Sequence, residues 1–218
     1  MRHICIVILQ TASEITKLTC NFGTNSLSYT TYYRTELDSY VNMIVMGKNS
    51  FVFGQVQNRT CEVTPYDPSI GKAKQVSIVD AAIAYDCEYT SKICILIFRN
   101  TLNIPTLEHN LITLYILNEG GIICNDRPKI QCNEPSGEGH CIIHKNSGLK
   151  KPLKLNGIFS FFHSRTSTHL EMENENKILS TLNSEYWNPY SSHYSENEES
   201  MIGGQGEVTP VKLRQKSI

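Results

Sequence analysis

Apolar residues gather in short runs along this chain, separated by longer polar stretches. Val41 to Phe53 is apolar, rich in β-branched and aromatic residues and interrupted by Gly47 and Gly54, which predicts short strands joined by turns. Gln75 to Asp86 and Ile93 to Arg99 are two extended apolar segments on either side of the polar Cys87-Glu88-Tyr89-Thr90-Ser91-Lys92. That order predicts a hairpin. After Pro105, Leu107, Leu111, Leu114 and Tyr115 recur at helical spacing and the run stops at Gly120-Gly121, so a short helix is expected, followed by one more strand at Ile122 to Cys124.

The flanks read differently. Residues 1–33 hold one apolar run, Ile4 to Leu9, and no sustained strand or helix period, so they read as an irregular spacer. Beyond Asn125 the chain turns to Asn, Pro, Gly and Ser, with one apolar island from Leu153 to Phe162 that reads as a docking patch on a linker. Residues 164–218 carry Glu171, Glu173, Glu175, Glu196, Glu198 and Glu199 and few large apolar side chains apart from Trp187, so their order is expected to depend on a partner. The expected organisation is a small, mainly β domain with one short helix at 34–125, between poorly ordered segments at 1–33 and 126–218. No repeat of useful length exists, which excludes a solenoid or propeller.

Composition narrows the function classes mainly by exclusion. A chain of 218 residues holds one ordinary domain with tails or two small ones. Twenty Lys and Arg against 21 Asp and Glu leave a net charge of −1, so no basic excess advertises nucleic acid or an acidic membrane. The run Ile4 to Leu9 is shorter than a signal-peptide core or a membrane span, so neither is expected. Eight scattered cysteines without a secretory signal favour reduced thiols over a disulfide framework, and the sequon Asn58-Arg59-Thr60 is then of no consequence.

Several constellations invite chemistry, and most have a simpler reading. Cys124, Cys132, His140, Cys141 and His144 are zinc-type ligands, but no knuckle spacing exists among them and no metal is expected. Cys94 reads as a small core residue, and no His stands in a local signature for a Cys–His nucleophile. Gly203-Gly204-Gln205-Gly206 lacks the strand and the Lys-Ser/Thr of a phosphate loop and reads as a flexible tail. Lys145, Lys150, Lys151 and Lys154 read as a solvated loop rather than a nucleic-acid contact. Trp187 suits either a partner surface or the folded domain.

The informative segment is Glu36-Leu37-Asp38-Ser39-Tyr40-Val41-Asn42-Met43. An aspartate followed by a small hydroxyl, after an apolar residue and before an apolar stretch, is how an aspartic-protease loop begins; Asp-Ser is equally at home in a turn or a helix cap. Aspartic hydrolysis needs two carboxyls about 3 Å apart sharing one proton. Of the aspartates at 38, 67, 80, 86 and 126, only Asp38 is followed by Ser or Thr, so a dyad would need one carboxyl from each of two copies.

Asp38-Ser39-Tyr40-Val41-Asn42 with Val45-Met46-Gly47-Lys48, then Ile78-Val79-Asp80-Ala81-Ala82-Ile83-Ala84-Tyr85-Asp86-Cys87 and Arg99-Asn100-Thr101-Leu102-Asn103-Ile104-Pro105, resemble the protease region of copia-type LTR-retrotransposon Gag-Pol polyproteins. His109-Asn110-Leu111-Ile112, Glu119-Gly120-Gly121-Ile122, Asn125-Asp126-Arg127-Pro128-Lys129-Ile130, Gly157-Ile158-Phe159-Ser160-Phe161-Phe162, Trp187-Asn188-Pro189 and Glu196-Asn197-Glu198-Glu199-Ser200-Met201 are similar to its successive blocks. The resemblance spans residues 36–202. It implies a retropepsin-like β-barrel subunit with one short C-terminal helix, opened by Asn110-Leu111-Ile112. It further implies Asp38 as the catalytic aspartate, Ser39 as the brace between paired loops, and a mobile flap at 78–98 with Asp80 and Tyr85 as candidate flap residues. Residues 126–218 would be the connector toward integrase. The implied partners are a second copy of the chain and a polyprotein peptide substrate, without cofactor, membrane or direct nucleic-acid contact, in the cytoplasm or a virus-like particle.

One departure bears on activity. Retropepsins read Asp-Ser/Thr-Gly-Ala, whereas Tyr40 and Val41 stand at the last two places here. Two expectations follow, an active aspartic endopeptidase and an inactive retroelement remnant or interaction module.

Overall fold

The structure is a computed structural model, and it describes residues 3–6, 31–39, 41–65, 74–133, 139–181, 192 and 195–196. The chain divides into two units, Met1–Glu185 and Tyr186–Ile218. In the second, only a turn is described, where the Glu196 N–H and the Ser195 hydroxyl both donate to the Ser192 carbonyl at 2.9 Å.

The first unit is mainly β. Its strands are β1 (His3–Ile6), β2 (Tyr33–Leu37), β3 (Val45–Met46), β4 (Phe51–Pro65), β5 (Lys74–Asp86), β6 (Ile93–Asn103), β7 (Asn110–Ile112), β8 (Ile122–Asn125), β9 (Cys141–His144), β10 (Leu149–Pro152), β11 (Lys154–Asn156), β12 (Phe159–Ser164) and β13 (Asn176–Leu179). Among the described residues, two short α-helices, α1 (Leu114–Glu119) and α2 (His169–Asn174), and a 3-10 turn at Lys129–Gln131 complete it. Among the described residues, ten strands form one sheet in the order β1-β4-β5-β6-β3-β7-β2-β12-β11, with β13 added to β6. A second sheet runs β10-β9-β8.

The centre is the β5–β6 hairpin, whose turn falls at the predicted polar connection, where the Cys87 N–H donates to the Lys92 carbonyl at 2.9 Å. Residues opposed across an antiparallel pair share a face, so Ala82 and Ala84 lie beside Ile97 and Ile95 on one face, and Ala81 and Ile83 beside Phe98 and Leu96 on the other. Both faces are buried, which explains why these strands read as continuous apolar runs rather than alternating ones. Met172 of α2 packs on the Ala82, Ala84, Ile95 and Ile97 face.

Several expectations are corrected. Residues 110–112 do not open the helix: they form β7, all three buried, with β2 parallel on one side and β3 antiparallel on the other. The helix is confined to Leu114–Glu119 because Leu111 belongs to β7 and Leu107 to the loop before it, where its carbonyl accepts from the Lys48 N–H at 2.9 Å. The boundary at 125 is no edge of the folded unit. β12 pairs with β2, β13 with β6, and Leu153 to Phe162 is the β11–β12 hairpin of the large sheet rather than a docking patch. At the other end, β1 within the expected spacer pairs parallel with β4, His3 opposite Glu62. Trp187 and the glycine run at 203–206 lie outside the described residues.

Candidate functional site

β2 has β7 parallel on one side and β12 antiparallel on the other. By register, Thr35 and Leu37 share a face with Asn110, Ile112 and Phe162, whereas Arg34 and Glu36 share the opposite face with Leu111, Phe161 and His163. The first face is interior. There Asn110 Nδ2 donates to Thr35 Oγ1 at 3.2 Å, Thr35 Oγ1 lies 2.7 Å from Ser164 Oγ, and Asn110 Oδ1 accepts from the Gly47 N–H at 2.9 Å. Gly47 leaves no room for a side chain, since a Cβ would sit 2.6 Å from the Leu107 carbonyl oxygen. This chain of buried hydrogen bonds ties β2, β7, β12 and the end of β3 into one piece.

The opposite face carries ionisable groups. Arg34 Nη2 donates to His109 Nε2 at 3.0 Å. A guanidinium cannot accept, so the His109 proton sits on Nδ1, which is buried without a hydrogen-bond partner among the described residues. Burial, and then the Arg34 charge, hold His109 below the usual imidazole range. Glu36 Oε1 lies 3.6 Å from Arg34 Nε and accepts no hydrogen bond. Burial raises the Glu36 carboxyl, Arg34 draws it down, and the nearby Asp38 charge adds to the rise.

Asp38 follows at the open end of β2. Its N–H donates to the Ile112 carbonyl at 3.0 Å, extending the β2–β7 ladder one residue past Leu37. Asp38 is half-buried and Ser39 is exposed. Tyr40 lies outside the described residues, and Val41 is buried with its carbonyl accepting from Thr113 Oγ1 at 2.7 Å. The arrangement holds a carboxyl at a strand end, beside an exposed hydroxyl residue, on a segment fastened on both sides. Such a group can take a proton from water, and a second carboxyl is needed to return one to a leaving amine.

The two flap candidates, Asp80 and Tyr85, sit elsewhere, in the central β5–β6 hairpin. Asp80 marks a register shift between β5 and β6: its Oδ2 accepts from Arg99 Nη1 at 2.6 Å and its Oδ1 from the Asn100 N–H at 3.0 Å. Asn100 has φ +54°, so Asp80 holds an irregular backbone in place. Tyr85 is 4% exposed and meets Phe162 edge-on at 6.0 Å, and burial drives its hydroxyl well above the usual range. The hairpin that directly follows the Asp38 segment and β3 is β4–β5, whose connection at 66–73 lies outside the described residues.

The zinc-type residues are dispersed. Cys132 Sγ donates to the Pro128 carbonyl at 3.5 Å and His140 Nε2 pairs with Ser160 Oγ at 3.0 Å. Among the described residues, no group of three or more His, Cys, Asp or Glu is arranged to hold a metal ion. His144 instead meets Lys151 Nζ at 2.9 Å. The solvated reading of Lys151 is therefore corrected: it is 1% exposed, with its amine 4.7 Å from the centre of the Phe162 ring. The cause is the strand period, which turns Leu149 and Lys151 to the buried side of β10 and leaves Lys150 half-buried.

Sequence reading named Asp38 and Ser39 as candidates, gave no role to Arg34, Glu36 or Thr113, and gave Asn110 only the opening of a helix. Asn110 between apolar neighbours carried a signal, because an amide inside an apolar run must find buried partners. Among the described residues, no helix is long and apolar enough to cross a membrane. The chain matches no family model, no curated protein and no solved structure.

Proposed function

We propose that this chain is the protease part of a copia-type retroelement polyprotein, an aspartic endopeptidase assembled from two copies that each contribute Asp38. The observation that carries the reading is the placement of Asp38: half-buried, one residue past a strand end, with its amide fixed to Ile112 and exposed Ser39 beside it. The ordered resemblance of the motif blocks supplies the substrate, a peptide bond of the polyprotein. One Asp38 carboxylate takes a proton from water as the water oxygen attacks the scissile carbonyl carbon. The other Asp38, protonated, gives its proton to the departing amine, so the peptide ends as a carboxylic acid and an amine. Ser39 braces the paired loops. The compartment proposed is the cytoplasm or a virus-like particle formed there.

The test is cleavage of a mixed peptide library at several values between about pH 4 and 7 by the wild-type chain and by Asp38→Asn. Cleavage by the wild type and none by Asp38→Asn is expected. A dimeric wild-type chain that cuts nothing overturns the enzyme reading.

A further inference from the structure

The segment that carries Asp38 is tied to the body of the fold by two consecutive residues. The Ile112 carbonyl accepts from the Asp38 N–H at 3.0 Å, and the Thr113 hydroxyl donates to the Val41 carbonyl at 2.7 Å. Thr113 and Val41 are both buried, at 5% and 1% exposed. Thr113 is also the N-cap residue of α1, with the extended backbone, φ −78° and ψ 122°, from which a threonine oxygen ordinarily accepts a first-turn N–H. It makes no such bond, and α1 has no acidic residue in its first turn to take its place. A residue type suited to capping therefore leaves a six-residue helix uncapped and turns its one donor toward the loop.

The two ties bracket the loop. Asp38 and Val41 are the tied residues, so the catalytic Asp38 of the proposed reading is itself one of the two, and Ser39 follows it. A carboxyl that must meet its twin within hydrogen-bond distance gains from a loop held at both ends, because misplacement by about 1 Å costs about a hundredfold in rate. We propose that Thr113 is a positioning residue that, by fixing Val41, helps set where Asp38 is presented, an inference resting on the aspartic-protease reading of the site. It touches neither substrate nor the reacting atoms and acts through Val41.

Two variants separate the hydrogen bond from the space it fills: Thr113→Val keeps the shape and removes the donor, and Thr113→Ser keeps the donor and removes the methyl. Cleavage kinetics on the best peptide from the library are measured alongside hydrogen exchange of the amides at 38, 39 and 41–44. Thr113→Val is expected to lower kcat by about tenfold or more with KM within about twofold, and Thr113→Ser to restore most of it. Exchange should quicken at those amides in Thr113→Val alone, while β5 and β6 stay protected. Wild-type kcat in Thr113→Val, or equal losses in both variants, overturns the inference. A wild-type chain without Asp38-dependent cleavage overturns the protease reading instead, and exchange then decides Thr113: no change in Thr113→Val overturns the brace, and quickening confined to the loop supports it.

Discussion

Lys151 places an amine where its neighbours along β10 and across from it are Leu149, Ile142 and Phe162. Burial lowers it to about 7, and the adjoining His144, buried and beside that amine, falls to about 3. Both are bases with folded-state values below their unfolded ones, so the folded chain binds fewer protons within each window and stability rises with pH there. For His144 the window runs from about 3 to 6.5, and for Lys151 from about 7 to 10.5. Cys124, pushed up to about 12 by burial, acts in the opposite sense above its ordinary value of 9.0, and Cys87, held below that value, adds to the rise just under it, so between pH 7 and 9 the Lys151 component is read as the difference from Lys151→Met. Urea unfolding across that range should show stability climbing with pH, by at most about 1.4 kcal/mol per unit from this one group. Lys151→Met should flatten that component and raise stability most at the acid end. An unchanged slope in Lys151→Met would mean that the amine is solvated and the buried geometry wrong.

Between residues and the whole stands the segment from Arg165 to Leu179, which the Arg165 side chain fastens to the central hairpin in addition to the Met172 packing and the β13–β6 pairing. Arg165 Nε and Nη2 donate to the two Asp86 oxygens at 2.9 and 3.0 Å, and Nη1 and Nη2 donate to Glu171 at 3.0 and 2.6 Å. Glu171 also closes a capping box with Thr168, so the same carboxylate starts α2 and fastens it to β5. The guanidinium bonds hold Glu171 down to about 2, below its ordinary 4.5. Its contribution is complete above about 4.5 and is lost as pH falls toward 2. Glu171→Gln should cost about 1 kcal/mol, since Arg165 keeps Asp86 and the site is only partly desolvated. Amide exchange of β13 should rise more than that of β4; equal change in both would show that the network is not local to this segment. None of this was legible beforehand, because glutamates 171, 173 and 175 look alike on a polar stretch until a folded hairpin supplies Asp86. The β5–β6 hairpin and α1 were legible, since local apolar runs and glycine stops define them without distant partners. β7 was not, because three residues match a helix stripe as well as a strand and only β2 and β3 decide between them. The site divides the same way: Asp38-Ser39 is a local signature, whereas Thr113 matters only through Val41, 72 residues earlier.

At the scale of the molecule, the extent of the cooperative unit is set by strands that close on one another from opposite ends of the chain. β2 has β12 as one of its two neighbours, β6 carries β13, and Arg165 exchanges both backbone hydrogen bonds with Ala84, at 2.9 and 3.0 Å. Removing everything after residue 125 would strip these pairings and uncover the face that Met172 covers. It would also remove Ile142, Leu149, Leu153, Phe161, Phe162 and Ile178, all buried. At about 1.5–3 kcal/mol for each such side chain, the loss is roughly 10 kcal/mol or more, an upper estimate for a folded-state reference but comparable with the about 5–15 kcal/mol that holds a domain together. A fragment of residues 1–125 should therefore lack a cooperative urea transition, while residues 1–185 should unfold in one step with the midpoint of the full chain. Cooperative unfolding of the shorter fragment would restore 125 as a domain edge and make β12 and β13 an appended layer. In the folding the structure describes, they are instead part of what holds β2, and with it Asp38, in place.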